Sequence, residues 1–70
     1  MTVGQLIEAL QDYEPSLMVI VSGYEGGVDE AKYAGQVRVK LNAHNEWYYG
    51  KHEVADYDDL PFDCEAIFIH

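Results

Sequence analysis

Two short stretches of this sequence carry chemistry that could hold a ligand. In Ser22-Gly23-Tyr24-Glu25-Gly26-Gly27, three glycines fall within five positions. Glycine enters positive φ without steric cost, so successive backbone N–H groups can converge there into a small anion-binding nest. In Trp47-Tyr48-Tyr49-Gly50-Lys51-His52, three consecutive rings offer apolar faces with polar edges. Such rings suit stacking on a base or a planar side chain, and Lys51 beside His52 could meet a phosphate. With Arg38, these residues other than Gly50 form the candidate ligand-binding set. Each stretch also has a plainer reading: the glycines as a tight connection, and the rings as core or as the seal of a dimer.

Other chemistry is poorly represented. The glycine loop has no G-x-x-x-x-G-K-[ST] spacing, which excludes a Walker-type nucleotide site. His44, His52 and His70 lie on separate segments without H-x-x-x-H spacing, and "DYDDLPFD" lacks the glycine and terminal glutamate of a calcium loop, so no metal site is expected. Cys64 sits in an apolar run with no base beside it, and Glu25 with Asp29 is the kind of pair that arises by chance among 13 acids. The reading is therefore a protein with no catalytic residue and no cofactor.

Charge narrows the partners. Thirteen acids against Lys32, Arg38, Lys40 and Lys51 leave a formal charge of −9, which disfavours direct contact with nucleic acid phosphates. The late acids include Asp56, Asp58, Asp59 and Asp63. They are either a solvated surface or a negative face for a basic partner, such as a protein that itself binds nucleic acid.

The elements that must position these residues fit one small domain, residues 1–70, since a chain this short buries only about 60% of its unfolded surface. A lone cysteine and the absence of a signal-like start favour a reducing, cytoplasmic setting. Thr2 with Gln5 makes a capping box, and Val3, Leu6, Ile7 and Leu10 share one helical face up to the stop at Glu14-Pro15. Leu17 to Val21 reads as a central strand buried on both faces. "GQVRVKLNA" alternates as a half-exposed strand, "NEWYYGKHE" reads as another, and "CEAIFI" closes the chain as a last one. The expected fold is α+β: one N-terminal helix packed on a small antiparallel or mixed sheet of about four strands. One short helix cannot cover all the apolar strand residues, so a homo-oligomer burying Ile67 or Ile69 is expected.

With "MTVGQLIEAL", "YEPSLMVIVSGYEGGVDE" and "NEWYYGKHE", most of the chain resembles a group of small, uncharacterised phage and prophage proteins. That resemblance implies an inhibitor of host defence, which either sequesters a nucleotide-derived signal or blocks a defence protein. The sharper expectation is a sponge that holds a small anionic nucleotide between Ser22–Gly27 and Trp47–His52. The alternative is an acidic mimic of nucleic acid that presses its carboxylates onto a basic host protein.

Overall fold

The computed structural model describes residues 1–55 and 61–70. The fold is α+β; among the described residues it has one α-helix, α1 (Val3–Leu10), a single 3-10 turn (Tyr24–Gly26) and five short strands, β1 (Ile20–Ser22), β2 (Val28–Glu30), β3 (Ala34–Lys40), β4 (Glu53–Val54) and β5 (Cys64–Ile69). The strands form two antiparallel sheets rather than one sheet of about four: a pair β1-β2, and a triplet ordered β4-β3-β5. The chain groups into two compact units, one of Met1–Tyr33 with Ile69–His70, the other of Ala34–Phe68. None of the helices is long and apolar enough to cross a membrane, among the described residues.

In the first unit, α1 begins as its sequence dictates. The Gln5 N–H donates to Thr2 Oγ1 at 3.1 Å, and the Thr2 N–H donates back to Gln5 Oε1 at 2.8 Å, so two donors at the helix start are satisfied reciprocally. Its apolar face stays largely in water. Leu6 is half-buried, while Val3, Ile7 and Leu10 remain exposed. Two further turns follow, closed by Tyr13 N–H on the Leu10 carbonyl and Leu17 N–H on the Glu14 carbonyl.

The expected central strand is corrected here. Leu17, Met18 and Val19 precede β1 rather than belong to it, and β1 has one partner, β2, with Val21 opposite Asp29. Covered on one edge alone, Leu17 to Ile20 stay exposed. The glycine loop is the hairpin connection between β1 and β2. Gly23 N–H donates to the Gly27 carbonyl at 2.8 Å, and Gly27 N–H to the Tyr24 carbonyl at 3.1 Å. The tight reversal demands left-handed backbone at Glu25 (φ 49°) and Gly26 (φ 85°), while Gly27 is extended at φ −75°.

In the second unit, β3 is the central strand, with Val39 opposite Val54 across the β4 contact. The expected alternation is blurred. Arg38 and Lys40, assigned to water by the pattern, are half-buried like Val37 and Val39. Arg38 gains its cover by lying over the Phe62 ring, 5.0 Å from its centroid. Ala55, 4% exposed, is the single buried residue among those described. Its N–H donates to the Arg38 carbonyl at 2.9 Å.

Gly26 offers a clean test of the hairpin. A Cβ there would meet nothing within 4 Å, so any cost of Gly26→Ala comes from the backbone conformation. A loss of about 1 to 2 kcal/mol is expected, read as a lower urea midpoint at unchanged slope. An unaltered midpoint would contradict the left-handed turn.

Candidate functional site

The site in the second unit begins where β3 leaves its sheet. Leu41 N–H donates to Asp63 Oδ2 at 2.8 Å, and Asp63 N–H donates to the Val39 carbonyl at 2.9 Å, so one residue closes both sides of the strand end. Lys40 Nζ stands 3.5 Å from the same carboxylate oxygen. Asn42 then turns the chain with φ 53°, a conformation that asparagine tolerates better than most residues. Its N–H donates to His52 Nδ1 at 2.9 Å, which requires an unprotonated Nδ1 and ties the two ends of the excursion together. His44 N–H donates to the Lys51 carbonyl at 3.0 Å, and Tyr49 N–H to the Glu46 carbonyl at 3.1 Å.

These bonds explain why Trp47-Tyr48-Tyr49-Gly50 is a turn and not the expected strand. The strand preference of aromatic residues is a preference for packing on a sheet face. Here the Tyr49 N–H goes to the Glu46 carbonyl and the His44 N–H to the Lys51 carbonyl, and pairing with β3 is taken by Glu53–Val54 further along. Trp47 is 94% exposed and Tyr48 71%, with their rings edge to face at 5.7 Å. Tyr49 instead packs its ring on His44, centroids 4.3 Å apart.

The excursion encloses a cavity of about 290 Å³ lined by Asn42, His44, Asn45, Glu46, Trp47, Tyr49 and Lys51. Three of the expected ligand residues, Trp47, Tyr49 and Lys51, line it. Tyr48 and Arg38 do not, and His52 serves through its Nδ1 as a tie for the turn. Asn42, His44, Asn45 and Glu46 were missed as lining residues. The signal available was the polar run Asn42 to Asn45 at the junction of the two expected strands. His44 Nε2 is shut off from solvent without a hydrogen-bond partner and lies 4.0 Å from Glu53 Oε2, a contact that becomes an ion pair when the imidazole is protonated.

Ser22 to Gly27 belong to the first unit. Gly23 and Gly27 direct their N–H groups onto carbonyls of the loop itself. The Asp29 carboxylate stands so close that a Cβ at Gly23 would fall 2.8 Å from Oδ2. This is the geometry of a tight connection, with a negative charge beside it. Asp56, Asp58 and Asp59, proposed as a partner-binding face, lie outside the described residues. Asp63, the fourth member of that set, is engaged with Leu41 and Lys40.

Asp63 also makes the strand end sensitive to pH. The Leu41 N–H holds its carboxyl below the usual aspartate range, against the pull of lost hydration, and the Lys40 ammonium adds to the lowering. A depressed folded value means that the stabilisation is complete above the ordinary aspartate range and disappears as the pH falls through the folded value. Asp63→Asn keeps an oxygen for Leu41 but removes the charge. Its chemical stability is therefore expected to fall less than that of the wild type between about pH 5 and about pH 2. Parallel acid limbs in urea titrations of the two proteins would refute that role for Asp63.

No protein-family model, curated protein or solved structure matches the chain.

Proposed function

We propose that the chain is a non-enzymatic binding protein that takes a small, planar, anionic ligand of the nucleotide class into the cavity of residues 42–51 and holds it without cleaving it. The observation that carries this reading is the composition of the cavity wall. Trp47 and Tyr49 offer flat apolar surface, Lys51 supplies an ammonium, and Glu46 brings a carboxylate into the same space. Glu46 repels a simple anion. A ligand that satisfies both charges needs hydrogen-bond donors as well as negative charge, and a nucleotide has base N–H or ribose hydroxyl donors together with its phosphate. A chain of net charge −9 repels such a ligand over distance, so the affinity must come from these local contacts. The resemblance to phage proteins supports sequestration of a nucleotide-derived immune signal as the biological purpose.

Calorimetry with a panel of cyclic nucleotides, linear nucleotides and ADP-ribose tests the reading. Binding of at least one member is expected, weakened by on the order of 1 to 3 kcal/mol in Trp47→Ala, the cost of losing a stacked base. Trp47 is almost fully exposed, so that variant should keep its fold. No heat from any member of the panel would overturn the proposal.

Assembly belongs to the same reading. β5 is an outer strand of its sheet, and Ile67 on it is nearly half exposed. An outer strand with apolar side chains is a template for a second copy. A dimer or larger species is expected by sedimentation at micromolar concentration, and Ile67→Lys should shift it to the 8.0 kDa monomer. A monomer for the wild type across that range would remove the assembly.

A further inference from the structure

A second concave surface lies in the first unit and shares no residue with the proposed ligand cavity. Between the end of α1 and the start of β1, Leu10, Tyr13, Pro15, Leu17, Met18 and Val19, with Gln11 and Glu14, line a groove of about 470 Å³. Its walls are not a core. Leu17 is 61% exposed and Met18 65%, and the apolar stripe continues along α1 through Ile7 and Val3, both more than half exposed. Leu10, Tyr13, Leu17, Met18 and Val19 each keep about half or more of their surface in water, and exposed apolar residues gathered along one groove mark a docking surface.

Charge decides what fits it. Residues 1–31 contain Glu8, Asp12, Glu14, Glu25, Asp29 and Glu30, and the first lysine or arginine of the chain is Lys32. A second copy would bring the same six carboxylates against these, and an anionic membrane surface would be repelled likewise. Glu14 itself lines the groove. The complementary occupant carries an apolar face bordered by cations. We propose that the α1–β1 groove docks a basic amphipathic helix of a partner protein, whose leucine-like side chains fill the groove while its lysines or arginines meet Glu14 and the acidic field of the first 31 residues. Helix-in-groove recognition needs this pairing of an apolar slot and a charged border. The inference is independent of the nucleotide cavity, because none of the groove residues lines it.

The test uses the full chain and three labelled 14-residue peptides, followed by fluorescence anisotropy. One is a leucine–lysine amphipathic helix, one has the same composition scrambled so that leucine and lysine do not segregate, and one replaces lysine by glutamate. The amphipathic basic peptide is expected to bind at least tenfold more tightly than the scrambled one, and the acidic one not at all. Leu17→Gln and Glu14→Gln should each weaken it, with the latter also reducing the salt dependence. Both residues are exposed, so both variants should fold, which circular dichroism verifies. Amide shifts on titration should centre on Leu10, Tyr13 and Met18. Equal binding of ordered and scrambled peptides would reduce the effect to bulk charge and overturn the proposal. A wild-type dimer that Leu17→Gln converts to monomer would assign the groove to a second copy instead and overturn it equally.

Discussion

The contact on which the second unit depends is the one between Leu41 and Asp63. At this point β3 stops pairing and the chain leaves the sheet, exposing a backbone donor that must find an acceptor. The Asp63 carboxylate accepts it at 2.8 Å, while the Asp63 amide holds the Val39 carbonyl of the same strand. Everything in the cavity is downstream of that closure. The left-handed Asn42, the tie from its amide to His52 and the bond from His44 to Lys51 bring the two ends of the excursion together. Between them Trp47 and Tyr49 are held on a turn rather than spread along a strand. A charge-assisted acceptor is stronger than a neutral one, which suits a position with so little packing to support it.

Little packing is the general condition of this chain. Ala55 alone is buried among the described residues, and both units are held chiefly by hydrogen-bonded turns and short ladders. A chain of this length has a high ratio of surface to volume, and domains of its size commonly recruit a partner or ligand for stability. The exposed apolar residues of α1, the groove before β1 and the rings of the 42–51 turn are left in water by the chain itself, and would be buried if the proposed ligand and partner bind there. Ligand and partner would then contribute to stability by mass action as well as to function.

Parts of this were legible in the residues. The Thr2 and Gln5 pair specified the start of α1 because capping is local, and the alternating apolar residues of β3 placed that strand although its burial does not follow the alternation. The acceptors that closed the turns were not legible. Nothing local distinguishes Asp63, which meets Leu41 from 22 positions away, from the other acids of its run. Tyr48 and Tyr49 have high strand propensity, and the bonds from His44 to Lys51 and from Tyr49 to Glu46 hold them on a turn instead. The apolar run before β1 suggested burial on two faces, yet a sheet of two strands offers it one neighbour. β2, three residues long, is too short to show a period of its own, and its one signal is the glycine-rich loop that joins it to β1 as a hairpin.

The central claim is that the 42–51 cavity holds a nucleotide-class ligand. Native mass spectrometry of the protein purified from defence-active bacterial cells, under conditions that preserve non-covalent complexes, tests it most directly. The account predicts an added mass of nucleotide size on the wild type that is missing from Lys51→Ala and Trp47→Ala prepared in the same way. A wild-type chain that carries no added mass, or an adduct that both variants retain undiminished, would contradict it.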